Sequence, residues 1–161
     1  MAFYEAETQW HVGEENMQRI LRVPHMDNPT SPFLTPHAAN ILTRSPIVAL
    51  GTLDSEAWPW TTLWGGEAGF SQPVAQSIIG LKATVDRAYD PVLTTLLGDK
   101  AEGEVVQEKD GGKMVGGLAI DLQHRRRVKL YGRSVAGAVM ATEEGVGEVQ
   151  LVVKIEQSLG M

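Results

Sequence analysis

Cysteine is absent from all 161 residues. Disulfides, thiolate nucleophiles and thiolate metal ligands are thereby excluded, and a cytoplasmic location is the expectation. Also absent is any apolar run near the ~20 residues that span a bilayer. The opening stretch, MAFYEAETQW, has neither a basic start nor an apolar signal core, so neither membrane insertion nor export is expected. Histidine is scarce. His11, His25, His37 and His124 form no HxH, HxxxH or HExxH pair, and no metal site is expected. No serine stands in a G-x-S-x-G elbow, and no G-x-G-x-x-G opens a helix after a strand. A nucleophile-elbow hydrolase and a Rossmann dinucleotide site therefore lack support. Positive charge is in the minority, with 14 Lys and Arg against 20 Asp and Glu. The net charge of −6 argues against nucleic acid or an anionic membrane as partner.

What is present is unevenly placed. Aromatic residues make up only 6% of the chain, yet three of its four tryptophans fall within GTLDSEAWPWTTLWGGEAGF, residues 51–70. They are Trp58, Trp60 and Trp64, with Thr61 and Thr62 between them and Gly65 and Gly66 behind. Strand alternation puts Trp58, Trp60, Thr62 and Trp64 on one face and Pro59, Thr61 and Leu63 on the other. Two readings follow. The indoles fill a core, as aromatics on barrel strands commonly do. Alternatively, Trp60, Thr61 and Thr62 line a ligand pocket with Trp64, Gly65 and Gly66 at its rim and Trp58, Trp64 and Gly65 against the substrate, where side-chain-free glycine lets a ligand approach the backbone.

The cations cluster too. Six of the fourteen lie between Lys113 and Arg133, where Asp121 is the sole acid. Alternation through HRRRVKLYGR sets Arg125, Arg127, Lys129, Tyr131 and Arg133 on one face and Arg126, Val128 and Leu130 on the other. Such a row is either a solvated hairpin tip or a clamp for a phosphate-sized anion.

The periodicity predicts one domain. A helix over 11–24 turns Val12, Met17, Ile20 and Leu21 to one side. A second starts at Thr35-Pro36 with Ala38, Ile41 and Leu42 inward, and a third runs from Asp90-Pro91 to Gly98. Strands are expected at 47–54, 58–66, 77–85, 113–122, 126–140 and 148–159, and GFSQPVAQ (69–76) reads as a loop. The acidic 99–112 stretch reads as a solvated excursion with a short strand near Val105-Val106. Hairpins dominate, so the expected class is mainly β with short helices.

SPIVALGTLDSEAWPWTTLWGG, YDPVLTTLL and GGLAIDLQHRRRVKLYGR resemble the pyridoxamine 5′-phosphate oxidase-like family of FMN-binding split β-barrels, in its flavin-nucleotide-binding branch. The resemblance covers about residues 10–160, and the arginine strand is its most specific part. It implies a six-stranded antiparallel split barrel over 1–161, with a helical segment over 1–45 packed on it, that forms a homodimer. It further implies an FMN-dependent oxidoreductase of a small organic substrate. Trp60, Thr61 and Thr62 match the strand that lines the flavin, and Arg127 and Lys129 match the later basic positions. The sequence departs from the family at the turn, where D-G-R-P-W is replaced by Glu56-Ala57-Trp58-Pro59-Trp60, so a cation is missing at Trp58. It also ends before a further family segment with a C-P-K-Y-like motif. If that segment completes the pocket, FMN is held weakly or not at all. The same cavity then suits a cofactor-free enzyme such as an isomerase, or a non-catalytic ligand-binding module.

Overall fold

The computed structural model describes residues 9–98, 103–108 and 111–160. Three short helices form where the sequence supplies caps. In α1, Val12–Leu21, the His11 side chain accepts from Gly13 N and the Glu14 carboxylate accepts from His11 N. In α2, Pro36–Arg44, Thr35 accepts from Ala38 N. In α3, Pro91–Leu97, Asp90 accepts from Val92 N and Leu93 N. Proline at the first position of α2 and α3 removes an N–H that has no helical partner there.

Eight strands form one antiparallel sheet: β1 Ile47–Leu53, β2 Pro59–Gly65, β3 Ser71–Ala75, β4 Ile78–Asp86, β5 Val106–Gln107, β6 Met114–Asp121, β7 Arg126–Glu143 and β8 Val146–Gly160. The strand order is β2-β1-β6-β7-β8-β4-β3, with β5 added to β7. The sheet curls until β2 lies against β4, although the two share no ladder. This mainly antiparallel architecture with three short helices is consistent with a split barrel.

The expected count of six strands is corrected to eight among the described residues. One addition is the two-residue β5, beside the expected 105–106. The other is β3, in the stretch expected to be a loop, which holds Pro73. Proline removes one ladder donor, which an edge strand tolerates. β3 is at the edge, and its register shifts between Pro73 and Ala75.

The core lies between the inner sheet face and helices α2 and α3. Val48, Leu50, Val115, Ala119, Val128 and Leu151 come from the strands. Ala38, Ile41 and Leu42 come from α2, and Val92, Leu93, Leu96 and Leu97 from α3. Within the segment expected to pack on the barrel, α2 is buried in this way, α1 buries no residue, and residues 1–8 lie outside those described.

Candidate functional site

Residues directly opposite in an antiparallel ladder share a face. The printed registers therefore map both faces of the sheet. On the outer face one row runs Thr61, Gly51, Gly116, Tyr131, Gln157 across β2, β1, β6, β7 and β8. The next row runs Leu63, Ala49, Leu118, Lys129, Leu159. Arg127 stands opposite Ile120 on the same face. The expected alternation along β7 holds from Arg127 to Ser134, with Val128, Leu130 and Ser134 buried and Arg127 and Lys129 exposed. Arg125 sits in the turn before β7, at φ 56°.

Gly51 and Gly116 face each other across β1 and β6, and packing does not account for them. A Cβ on Gly116 would have Gly51 O, at 3.9 Å, as its one neighbour within 4 Å. On Gly51 it would make ordinary contact with Trp60 O at 3.4 Å and Thr61 Cγ2 at 3.5 Å. The adjacent Gly117 differs in facing the core, where its Cβ would sit among Leu130 and Leu50 side-chain atoms at 3.4–3.8 Å. Side chains are thus missing from the middle of an outer face that has room for them. Thr61 and Tyr131 border this flat floor, and Lys129 and Arg127 lie beside it. Among the described residues, neither cation has a carboxylate within ion-pair distance. Lys129 and Tyr131 also line a cleft of about 180 Å3 with Thr30, Gln157 and Leu159.

The inner face of β2 is built differently. Trp64, only 2% exposed, lies in the core. Its indole N–H donates to Asp90 Oδ2 at 2.8 Å, and Thr62 Oγ1 donates to the same oxygen at 2.9 Å. Asp90 is itself buried. Its other oxygen takes the two N–H groups of α3, so the carboxylate is filled by four donors. Trp60 donates to Asp54 Oδ2 at 2.8 Å and remains 44% exposed. Trp58 projects from the turn and donates to Glu56 Oε2 at 3.3 Å.

The Asp54 carboxyl is held below its ordinary range, first by the Trp60 indole, then by Trp58 N–H and Glu56 N–H, against an opposing push from burial. Asp121 is lowered too, chiefly by the backbone N–H of His124, with the His124 ring and the Arg44 charge adding to it. His124 Nδ1 lies 2.9 Å from Asp121 Oδ2. No group of side chains suited to a metal occurs among the described residues.

The structure therefore divides the residues picked from the sequence. Thr61, Arg127 and Lys129 share the outer face. Trp60, Thr62 and Trp64 point the other way, and Trp64 belongs to the core rather than to a rim. Gly65 and Gly66 have packing reasons: a Cβ would come 3.1 Å from Pro46 O and 2.8 Å from Phe70 Cβ, respectively. The sequence reading missed Gly51 and Gly116. Their signal was glycine within an apolar strand pattern, isolated at Gly51 and paired at Gly116-Gly117, which marks close backbone approach.

Fold and site together define a mainly antiparallel β protein with a flat, glycine-floored outer face bordered by hydroxyls and cations. No protein-family model and no curated protein matches the chain. Solved structures with a similar chain path include a "putative pyridoxamine 5′-phosphate oxidase" from Lactobacillus delbrueckii, with TM-score 0.47 and 14% identity over 80% of this chain and 95% of that one. An F420 reductase gives TM-score 0.48 and 10% identity over 77% and 98%. A HupZ variant from Group A Streptococcus gives 0.45 and 9% over 80% and 99%. The first carries the family name that the sequence motifs resemble. At these identities and scores the likeness is one of chain path, and no activity passes from it to this chain.

Proposed function

We propose that the outer face of β2-β1-β6-β7 binds FMN and that the protein is an FMN-dependent oxidoreductase acting on a small organic molecule. The observation that carries this reading is the Gly51–Gly116 floor, which lacks side chains where packing would admit them. From Thr61 to Tyr131 the row crosses three strand spacings, about 14 Å in all, wide enough for a fused planar ring system. Thr61 and Tyr131 would offer hydroxyls to its polar edge. Lys129 and Arg127 would hold the phosphate, Arg127 through its planar fork. Bound FMN supplies the capacity to take up and pass on two electrons. The chain's own part is to hold the ring flat, keep the phosphate end fixed and exclude water from one side.

The other side of such a ring would face solvent in a single copy. A second copy of the chain, related by a two-fold axis, would cover it and bury the exposed Leu53 and Leu63. The cofactor-free cavity behind the tryptophans has less support, because Trp64 lies in the core and Asp90 engages both Thr62 and Trp64.

Titration with FMN, followed by flavin and tryptophan fluorescence, tests the proposal. Saturable binding is expected, with Arg127→Ala and Lys129→Ala each weakening it by roughly 1.5–3 kcal/mol and riboflavin binding far less affected. Light scattering should give a dimer mass. Absence of saturable FMN binding, or affinities unmoved by both substitutions, overturns the reading.

A further inference from the structure

On the side of β2 opposite the glycine floor, a groove of about 400 Å3 runs between the β1–β2 turn and the start of α3. Its lining includes Trp60, Tyr89, Asp54 and Asp90, with Pro91 and Thr94 along the helix side. We propose that this groove is a binding site for a small organic cation, such as a quaternary ammonium or a protonated alkylamine.

Three observations support this chemistry. First, the two rings are available: Trp60 is 44% and Tyr89 85% exposed, although aromatic surface gains from burial. An aromatic face attracts a cation through its negative quadrupole, most strongly for tryptophan. Second, the lining contains no Lys, Arg or His, and of its two aspartates Asp90 is buried and filled by four donors while Asp54 is partly exposed. Asp54 receives only neutral donors, from Glu56 N, Trp58 N and the Trp60 indole, so its charge is uncompensated. Third, the nearby cation is already committed. Lys113 lines an adjoining hollow that shares Asp54 and Thr95. Its ammonium donates to Thr95 O and Leu96 O at 2.8 and 3.0 Å and pairs with Glu108 at 3.5 Å. The groove thus combines aromatic faces with net negative charge. That pairing favours a cation over a neutral planar compound and disfavours any anion, FMN included. The site stands apart from the glycine floor, because alternation along β2 sends Trp60 and Thr61 to opposite faces.

Choline and its uncharged isostere 3,3-dimethylbutan-1-ol are the probes, each titrated into the native protein and followed by tryptophan fluorescence and by the indole N–H signal of Trp60. Choline should saturate, the neutral compound should bind at least several-fold more weakly, and added salt should weaken choline alone. Tyr89→Ala changes an exposed side chain and should keep the fold. It should lower choline affinity roughly 2- to 5-fold, the scale of one exposed cation–aromatic contact. Trp60→Phe should lower it as well while retaining an aromatic ring in the groove. Equal binding of the two probes, no saturation by choline, or an affinity untouched by Tyr89→Ala would each overturn the proposal.

Discussion

The indole N–H of Trp64 and the carboxylate of Asp90 meet at 2.8 Å inside the core. Through this contact and that of Thr62, one residue both caps α3 and fastens it to strand β2. Asp90→Ala removes the cap and leaves a buried indole donor without a partner. A loss of about 2–4 kcal/mol is expected from these two effects. Asp90→Asn should also destabilise, since an amide has one oxygen for two opposed pairs of donors and its NH2 must face one of them. Urea denaturation followed by tryptophan fluorescence measures both. Native-like midpoints would show that the contact carries no stability.

Gly116→Val separates folding from binding. A Cβ at this position meets only Gly51 O, at 3.9 Å, and valine suits a strand, so the thermal midpoint should stay or rise. The same side chain stands up from the floor where the flavin ring is proposed to lie, so FMN affinity should drop at least ten-fold. Unchanged affinity in a folded variant would remove the glycine floor from the site.

Asp54 and Asp121 both have lowered carboxyl pKa values in the folded chain. Their contribution is therefore present above the unfolded value near 4 and is lost as the pH falls through their folded values. Urea midpoints measured from pH 6 down to pH 2.5 should decline below about pH 4. The double variant Asp54→Asn, Asp121→Asn keeps both turn acceptors and should flatten that decline. A slope identical to that of the native protein would mean that other groups govern the acid transition.

Ser71 has its hydroxyl buried, with no hydrogen-bond partner among the described residues. Ser71→Ala removes that polar atom and leaves the methylene packed, so stability should be unchanged or higher by up to about 1 kcal/mol. Calorimetry can resolve the difference, and a loss beyond 1 kcal/mol would reveal a partner for the hydroxyl.

Much of the fold is legible locally. Thr35-Pro36 and Asp90-Pro91 announce their helices because capping depends on neighbours two or three residues away. The 47–64 hairpin is legible because alternation and a tight turn adjoin in the sequence. β3 is not, since Pro73 signals a break unless the strand is known to lie at an edge, and edge position is a property of the whole sheet. The site divides in the same way. Alternation assigns Lys129 and Arg127 to one face correctly. It cannot tell which face of β2 the protein closes with α3, because that depends on Asp90, 26 residues beyond Trp64. The tryptophans are the conspicuous residues of the sequence, while the face proposed to hold a flat ligand is marked by two residues without side chains.

The long β7–β8 pair also bears on how the chain assembles. These strands join through a turn ending at Gly145, whose φ of 76° suits glycine, and register with each other from Val128↔Gly160 to Glu143↔Val146. Their loop is among the cheapest to close. By contrast, β1 meets β6 only when Val48 finds Ala119, roughly 70 positions later. Closing that loop costs about 3 kcal/mol more in chain entropy. The C-terminal hairpin is therefore suited to serve as the template on which the earlier strands settle. Refolding should be limited by the distant β1–β6 pairing, on the millisecond-to-second scale of sheets rich in remote contacts. The glycine floor, which straddles that pairing, would then be among the last surfaces to form.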